Sequence, residues 1–564
     1  MHRDYAGDFN KAFDELTKPF RQEKREKARG KKEQETGKPN LVISDNEDAM
    51  LRNAFKILEA DTLLYRKDGR LVTPTIDKKN DRRKSRNDIF FALTACDSSF
   101  VRQRLAELST PCKEVFNAKT KDFMMQPCRI PDLIPKVIIA TAMNGELNPL
   151  PRIDGILHGP VINENGALVN SRGLVEISGL NFYQAGDIPD FNLPETITRE
   201  DAEEAGRQLL NLLVDYEFES KEYDPAKWLA MVLTQLARPL VEYSPFFILT
   251  ANTSRAGKTL LVDALGLICH GNHPQRLAWP TRSDRREDEL AKTVSGYAFE
   301  GKTLCFWDNL QDGSSLISEK LCQDLTAAYI HNRMLHSNTM IGGRNLLQFI
   351  ASGNNISPSG DLIGRSIVVK VFSSNAAPGN RDPKKFIHGR LDSHIKKNRL
   401  PILRNALMIL AGYIRAGRPD MPGAHLAGFD DWVSLVCGSI RWAVGIDPIE
   451  DQQKTAMEAD PQTQGLIALA LNWGQVFGDI PQKAGAIYRK LAGAMDAEDN
   501  TPALALLEAL ETLYGGACIK NQNQIPLILK RFLGKRIRCN DRVYILDGKL
   551  DSKNGGLIYS MRTE

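Results

Sequence analysis

Residues 246–268 read FFILTANTSRAGKTLLVDALGLI and join a strand, a loop and a helix in one stretch. The apolar run FFILT predicts a buried strand, and the residues after Lys258 predict a helix. The segment between them, ANTSRAGKT (251–259), is typical of a loop that binds phosphate. In such a loop, backbone N–H groups wrap the phosphate and the helix N-terminus adds its dipole. The stretch therefore predicts a nucleotide site.

Each position of this loop has an expected role. The ammonium of Lys258 reaches the β- and γ-phosphate oxygens of ATP, and the hydroxyl of Thr259 binds Mg²⁺. Asn252 stands where the usual first glycine would be. Because asparagine tolerates left-handed backbone better than other non-glycine residues, we expect the loop to keep its shape. The predicted nucleotide-binding residues are Asn252, Ser254, Arg255, Ala256, Gly257, Lys258, Thr259 and Leu260.

An acid that holds the metal should lie at the tip of a neighbouring strand. Residues 303–309, TLCFWDN, supply an apolar strand that ends at Asp308, and this carboxylate is expected to hold Mg²⁺ beside Thr259. The plainer interpretation is an aspartate that caps a strand end. Asn309 follows where a glutamate usually aligns the attacking water, and an amide cannot accept a proton. Either Asp312 or Asp361 supplies that carboxylate, or hydrolysis is slow.

A third apolar strand, LLQFIASG (346–353), ends at Asn354, whose side chain is expected to hold the γ-phosphate or the water. Arg365 follows, directly before the strand SIVVKV. The alternative for Arg365 is a surface salt bridge with Asp361.

The segment between Asp308 and Asn354 predicts a hairpin. Residues 332–345 contain a short β-like run, a glycine turn at Gly342-Gly343 and a return toward the next strand. Basic residues are expected near the tip of this hairpin: Arg333, His336 and Arg344.

The chain as a whole predicts an α/β fold with several domains. Apolar strands alternate with helices over residues 245–371, which favours a parallel sheet with helices on both faces. Thr198 and Asp201 predict a capping box that opens a long helix at a domain boundary. The predicted domains are a charged flexible arm (1–40), an α+β accessory domain (41–197), the ATPase core (198–399), a helical region (400–480) and a winged-helix-like DNA-binding domain (481–564).

Composition sets limits on the class of protein. The 564 residues are 42% apolar and 26% charged, which excludes a disordered, collagen-like or membrane-spanning chain. The first twenty residues are too polar for a secretory signal, so we expect a cytoplasmic protein without a membrane partner. The nine cysteines lie at least sixteen positions apart, which excludes a zinc clip and indicates mostly reduced core thiols.

Charge clusters are more informative than the net charge of +4. The C-terminal run 530–542 has six basic residues and one acid, and its predicted DNA contacts are Lys530, Arg531, Lys535, Arg536 and Arg538. The alternative is a solvated helix face. The runs 18–38 and 78–86 are either solvated segments or phosphate contacts.

The order of these features resembles AAA+ ATPases of the superfamily 3 helicase type. It is most similar to phage and prophage ATPases linked to DNA primases, which share SGNNISPSGDLIGR (352–365), an LYxRxGxLV element (64–72) and a later pattern. That later pattern consists here of Trp432, Arg441, Trp442 and Asp447-Pro448. The resemblance covers residues 41–560.

The resemblance implies a ring, usually a hexamer, that hydrolyses ATP with Mg²⁺ at subunit interfaces and moves along single-stranded or forked DNA. By position it makes Lys258, Asp308, Asn309, Asn354 and Arg365 the catalytic residues, with Asn354 as sensor and Arg365 as the finger that enters the neighbour's site. Gly364 stands where relatives often have a second arginine. No zinc clip or acidic polymerase cluster is visible, so a primase would be a separate chain.

Two other functions fit the sequence less fully. An initiator or loader that uses ATP only as an assembly switch would explain Asn309 in place of glutamate. A small-molecule kinase would explain the phosphate loop but neither the hairpin nor the basic C-terminus.

Overall fold

A parallel sheet lies at the centre of the chain. The computed structural model describes residues 37–81, 86–185, 190–281, 285–333, 340–374, 386–452, 461–494, 501–539, 542–551 and 556–563. We number the central strands β1 (Phe246–Ala251), β2 (Arg276–Leu277), β3 (Leu304–Leu310), β4 (Gln348–Asn354) and β5 (Ser366–Val371). They lie in the spatial order β2-β3-β4-β1-β5, and every neighbouring pair is parallel. The predicted parallel α/β sheet is confirmed.

The register of this sheet brings the predicted site residues to one edge. Ala251 at the end of β1 lies opposite Asn354 at the end of β4, and Leu310 of β3 lies opposite Gly353. Because carboxyl ends of parallel strands share an edge, the loops after β1, β3 and β4 meet there. Ser366 at the start of β5 instead pairs with Phe246 at the start of β1, so this pair lies at the amino ends of the strands.

Helices cover the sheet and share one apolar core with it. The helices of this part of the chain are Arg199–Asn211, Tyr223–Ala237, Lys258–Cys269, Arg286–Phe299, Glu319–Leu325, Leu391–Lys397, Arg399–Arg415 and Gly438–Val444. The first of them begins at the predicted capping box, in which the Thr198 hydroxyl and the Asp201 carboxylate cap each other's backbone N–H groups. Two short strands outside the central sheet pair with each other, Ser315–Leu316 with Ser357–Pro358.

The residues of the later family-like pattern build this core. The Trp432 indole donates a 2.7 Å hydrogen bond to Thr234. Arg441 and Asp447 form a 2.9 Å ion pair in which both side chains are only 8% exposed. Because a buried charge needs a partner, the arginine and the aspartate depend on each other. These residues therefore hold the helices together.

The N-terminal region contains a further core of its own. Its elements are the strands Asn40–Val42, Tyr65–Lys67, Arg70–Asp81, Arg86–Ala95, Thr110–Asn117 and Asp122–Pro127 and the helices Glu47–Leu58, Ser98–Leu108 and Leu133–Ala140. Arg66 of the upstream element donates to the carbonyl oxygen of Leu150, which is a structural contact. Nearly all of the arm 1–40, and residues 82–85 of the basic run, lie outside the described residues.

Short strands link this region to the central sheet. They are Gly155–Leu157, Val161–Ile162, Leu168–Val169, Gly173–Ile177 and Leu180–Gln184. Ile156 shares an apolar cluster with Phe299, and Leu157 shares another with Leu346, so apolar clusters join these strands to the region of the central sheet.

The C-terminal region has a separate core that includes Trp473 and Tyr559. Its elements are the helices Pro461–Phe477, Ala484–Ala494, Thr501–Leu513 and Gln524–Leu529 and the antiparallel strands Gln482–Lys483, Arg536–Cys539, Arg542–Leu550 and Leu557–Thr563. Helix Pro461–Phe477 packs in this core, and the boundary at residue 480 stays a prediction. An apolar helix face does not reveal which core it will join. The winged-helix assignment stays a prediction.

All nine cysteines lie in the described part of the chain and are free, and five of them are buried. Among the described helices, none combines the length and the apolar character needed to cross a bilayer.

Candidate functional site

The loop after β1 has the conformation that a phosphate loop requires. Gly257 has φ of +101°, and a Cβ added there would lie 2.7 Å from the ring of Tyr216, so only glycine fits. Arg255 has φ of +61°. Helix Lys258–Cys269 begins directly after the glycine, with its free N–H groups facing the loop.

Asn252 has a different role from the predicted one. Arg255 is the non-glycine residue of the loop with left-handed backbone, whereas the φ angle of Asn252 is not positive. The Asn252 side chain instead exchanges two 3.0 Å hydrogen bonds with the backbone of Ser373, which follows β5. This carboxamide ties the loop to the neighbouring strand, which needs both a donor and an acceptor.

Lys258 and Asn354 lie side by side at the sheet edge. The ammonium Nζ donates a 2.5 Å hydrogen bond to Asn354 Oδ1 and a 3.3 Å bond to the carbonyl oxygen of Thr253. Burial lowers the pKa of Lys258, and the carboxylates of Asp308 and Asp312 oppose that shift. The predicted loop lysine and the predicted sensor are therefore in direct contact.

Thr259 and Asp308 form the second pair. Thr259 Oγ1 donates a 3.0 Å bond to Asp308 Oδ1, and Ser352 of β4 donates a 2.5 Å bond to the same oxygen. A hydroxyl and a carboxylate are hard oxygen donors of the kind that Mg²⁺ accepts, directly or through water. The side chains fit the metal that the sequence predicts. Ser352 was missed from the sequence because a buried serine inside an apolar strand gives no distinct signal.

Arg276 is a further partner that sequence reasoning missed. Its guanidinium contacts both Asp263 oxygens, at 3.0 and 2.8 Å, and lies 3.4 Å from Asp308 Oδ2. Arg276 belongs to the two-residue strand β2, which is too short to be predicted from periodicity. The arginine therefore links helix Lys258–Cys269 to the tip of β3.

The tip of β3 is irregular. The register between β3 and β4 shifts between Trp307 and Leu310, and Asn309 in that bulge is exposed with φ of +58°. Beyond it, Asp312 accepts a 3.0 Å hydrogen bond from Asn355 Nδ2. The first acid after Asp308 is thus held beside the end of β4.

A cleft of about 350 Å³ opens beside the loop. It is lined by Arg255, Gly257 and Leu260 on the loop side and by residues from two distant segments, 212–217 and 386–392. The hydroxyl of Tyr216 is buried there and has no hydrogen-bond partner among the described residues. The cleft lies where the rest of a nucleotide would extend from its phosphates. No sequence signal connects segments about 170 residues apart.

Arg365 lies near the amino ends of the central strands, whereas the phosphate loop lies at their carboxyl ends. It directly precedes β5, whose six residues span about 20 Å at the usual rise per residue. Its guanidinium donates a 3.1 Å bond to Thr326, at the end of helix Glu319–Leu325. Among the described residues, Thr326 is thus the hydrogen-bond partner of Arg365, in place of the salt bridge considered with Asp361.

The predicted hairpin is present, but its glycines lie elsewhere. Strands Tyr329–Arg333 and Met340–Arg344 are antiparallel. Gly342 and Gly343 lie inside the second strand, where a Cβ would lie 1.9 Å from the Ile330 carbonyl and 2.6 Å from the Ala298 carbonyl, respectively. Gly342 allows close approach of the partner strand and Gly343 allows close packing on a helix, so the prediction of a glycine turn is wrong.

The basic residues Arg333 and Arg344 lie at opposite ends of the described hairpin strands. Arg333 pairs with Met340 at the outer end of the described strands and is exposed. Arg344 pairs with Tyr329 at the base and stacks over its ring at 5.8 Å, so its predicted position near the tip is wrong. His336 lies outside the described residues.

The C-terminal basic residues are exposed. Arg536 and Arg538 alternate with the buried Ile537 and Cys539, so both project from the same face of the strand. Arg542 pairs with Cys539 across the sheet and therefore belongs to the other face. The exposed basic side chains of this region are Lys530, Arg531, Lys535, Arg536, Arg538 and Arg542.

Comparison with known proteins gives distant structural neighbours. No family model and no curated protein matches the chain. The NrS-1 C-terminal region is 13% identical with a TM-score of 0.38, over 90% of this chain and 98% of that one. The SCCmec type IV Cch protein, described as an active helicase, is 12% identical with a TM-score of 0.33, over 87% and 90%. JCV helicase is 15% identical with a TM-score of 0.20, over 44% and 67%. The residue roles below therefore rest on the geometry of this chain.

Proposed function

We propose that the chain is an ATP-dependent DNA helicase or translocase of a phage or other mobile element, acting as a ring in replication. The observation that carries this proposal is the convergence at one sheet edge. There Lys258 contacts Asn354, and Thr259 and Ser352 contact Asp308. A lysine, a hydroxyl and a carboxylate in this arrangement suit a nucleotide triphosphate with Mg²⁺.

The nucleotide chemistry of the site follows from the chain's own groups. The loop and the helix N-terminus bind phosphate, Lys258 carries positive charge to the terminal phosphates, and Asn354 holds that lysine in place. When bound, Mg²⁺ supplies charge neutralisation between the phosphates, with Thr259 and Asp308 as its protein partners. The cleft beside Tyr216 accommodates the nucleoside.

Two exposed basic regions support DNA as the partner. Arg333 is exposed at the outer end of the described hairpin strands, and the C-terminal region carries six exposed basic side chains, of which Arg536 and Arg538 share one face. Basic side chains bind nucleic-acid phosphates by releasing counterions. A hexameric ring and a separate primase belong to the proposal through the family resemblance alone.

The test is ATP-driven strand displacement on a forked DNA duplex. We expect displacement that requires ATP and Mg²⁺, ATP turnover that rises with single-stranded DNA, and an ATP-dependent oligomer. An initiator or loader, favoured only by Asn309, would bind DNA and assemble with ATP but leave the fork intact. A monomer without DNA-stimulated turnover would contradict both functions.

Arg333→Gln should weaken binding to single-stranded DNA and lower the slope of log affinity against log salt by about 0.7, the value for one phosphate contact. Arg344→Gln should change the slope less, because that guanidinium stacks at the hairpin base. Fluorescence anisotropy at several salt concentrations measures both slopes. An unchanged slope for Arg333→Gln would mean that the hairpin end does not touch DNA.

The double variant Arg536→Gln/Arg538→Gln should lower the salt slope for duplex DNA by about 1.8, since each phosphate contact contributes about 0.9. Arg562→Gln is the matched control, because Arg562 lies in the same sheet and is paired with Asp547 at 2.6 Å. Equal slopes for the double variant and the control would assign the basic surface to solubility alone.

A further inference from the structure

The backbone at the tip of β3 explains why no glutamate follows Asp308. Asn309 has φ of +58°, a left-handed conformation that asparagine adopts far more readily than glutamate does. The register shift between Trp307 and Leu310 creates this conformation. A carboxylate that serves hydrolysis must therefore come from another position.

The turn after the bulge carries an acid back to the nucleotide edge. Gly313, with φ of +72°, donates a 3.1 Å backbone bond to the carbonyl oxygen of Asn354. Asn355 donates its side chain to Asp312 at 3.0 Å, and its own N–H donates to the Ala251 carbonyl at 3.0 Å. These three bonds fix Asp312 beside the ends of β4 and β1.

Asp312 and the phosphate-binding lysine share one local environment. Lys258 contacts Asn354, and Asn355, the next residue, contacts Asp312. The carboxylates of Asp308 and Asp312 both raise the pKa of Lys258 against the effect of burial. The other candidate, Asp361, lies near the thiol of Cys322, whose pKa is raised by burial, lowered by Arg365 and raised by Asp361. Asp361 therefore lies with the arginine at the other sheet edge.

We propose that Asp312 is the carboxylate that orients the attacking water and accepts its proton. This is the role that a glutamate directly after Asp308 would otherwise have. This inference rests on the proposed ATPase function. The water oxygen forms a bond to the γ-phosphorus while the bond from that phosphorus to the β,γ-bridging oxygen breaks. The electron pair stays on the bridging oxygen of ADP. One water proton passes to Asp312 and then to solvent, and the other remains on the phosphate.

Asp312→Asn is the informative variant, because an amide oxygen can still accept the Asn355 hydrogen bond while it cannot take a proton. We expect kcat to fall about 10²-fold or more, in the range of general base catalysis, with ATP affinity nearly unchanged. Asp312→Glu keeps a carboxylate and should restore part of the activity. Asp45→Asn, which changes an exposed acid of the N-terminal region, is the matched charge control.

Asn309→Gly tests Asn309 separately from Asp312, since glycine adopts the same left-handed backbone but has no side-chain amide. It should lower kcat by less than Asp312→Asn does if Asp312 is the base, since glycine there preserves the local backbone. The inference is overturned if Asp312→Asn keeps wild-type kcat, if Asn309→Gly loses as much activity as Asp312→Asn, or if only Asp361→Asn is impaired. A wild-type protein that does not hydrolyse ATP would instead remove the proposed function, which distinguishes the two failures.

Discussion

Arg365→Ala should bind ATP nearly as the wild type does and hydrolyse it on the order of 10³-fold more slowly, the effect typical of an arginine finger. The physical reason is the position of Arg365 at the start of β5, about 20 Å by strand length from its own phosphate loop. No rotamer of an arginine covers that distance. In the proposed ring, only the nucleotide of a neighbouring subunit could receive this guanidinium, whose planar fork suits phosphate oxygens.

The measurement is steady-state turnover beside nucleotide binding by fluorescence titration. A sharper version mixes Arg365→Ala with Lys258→Ala, because each variant lacks a different half of a shared site. Some interfaces of a mixed ring would then pair an intact loop with an intact finger, and activity should partly return. If the mixture stays inactive although the two proteins co-assemble, Arg365 does not act across an interface. Thr326→Val is a useful companion, since it removes the present hydrogen-bond partner of Arg365 while keeping the arginine.

Lys258→Ala should lower ATP turnover by 10²- to 10³-fold or more, the loss expected when a group that stabilises transition-state charge is removed. The lysine contacts Asn354 and the Thr253 carbonyl, and in the proposed complex its ammonium binds the terminal phosphates. Since the side chain packs against polar groups at the sheet edge, we expect the variant to fold. Circular dichroism and thermal unfolding check the fold.

Lys258→Arg gives the companion measurement, because it keeps the charge but replaces a compact ammonium with a planar group. We expect it to retain nucleotide binding better than turnover. Full turnover in a folded Lys258→Ala protein would contradict the nucleotide site itself, and with it the proposed function.

The sequence predicted the parts of the site that lie at the ends of long apolar strands. Asp308 and Asn354 could be found because buried strands are visible as continuous apolar runs, and parallel strands bring their ends together. Ser352 and Arg276 could not, because one is a buried polar residue within a strand and the other belongs to a two-residue strand. Their contacts depend on register, which a single sequence does not specify.

The errors have the same kind of cause. Glycine favours turns, so the sequence predicts a turn at Gly342-Gly343. In the structure a Cβ would clash with the Ile330 carbonyl of the partner strand at Gly342 and with the Ala298 carbonyl of a helix at Gly343. Arg344 was consequently placed near the tip. Asn252 was explained by backbone conformation, whereas its side chain bonds to a strand about 120 residues away. Tertiary contacts of this length leave no local signature.

The guanidinium of Arg276 has a consequence for the order in which ligands arrive. It lies 3.4 Å from Asp308 and also contacts Asp263, so the acid at the strand tip faces a positive charge before any ligand binds. A free divalent cation approaching Asp308 would meet Arg276 and Lys258 and lose affinity through like-charge repulsion. A cation already chelated by nucleotide phosphates carries its own negative charge and escapes that repulsion. If the proposed nucleotide site is correct, these charges favour the metal–nucleotide chelate over the bare ion.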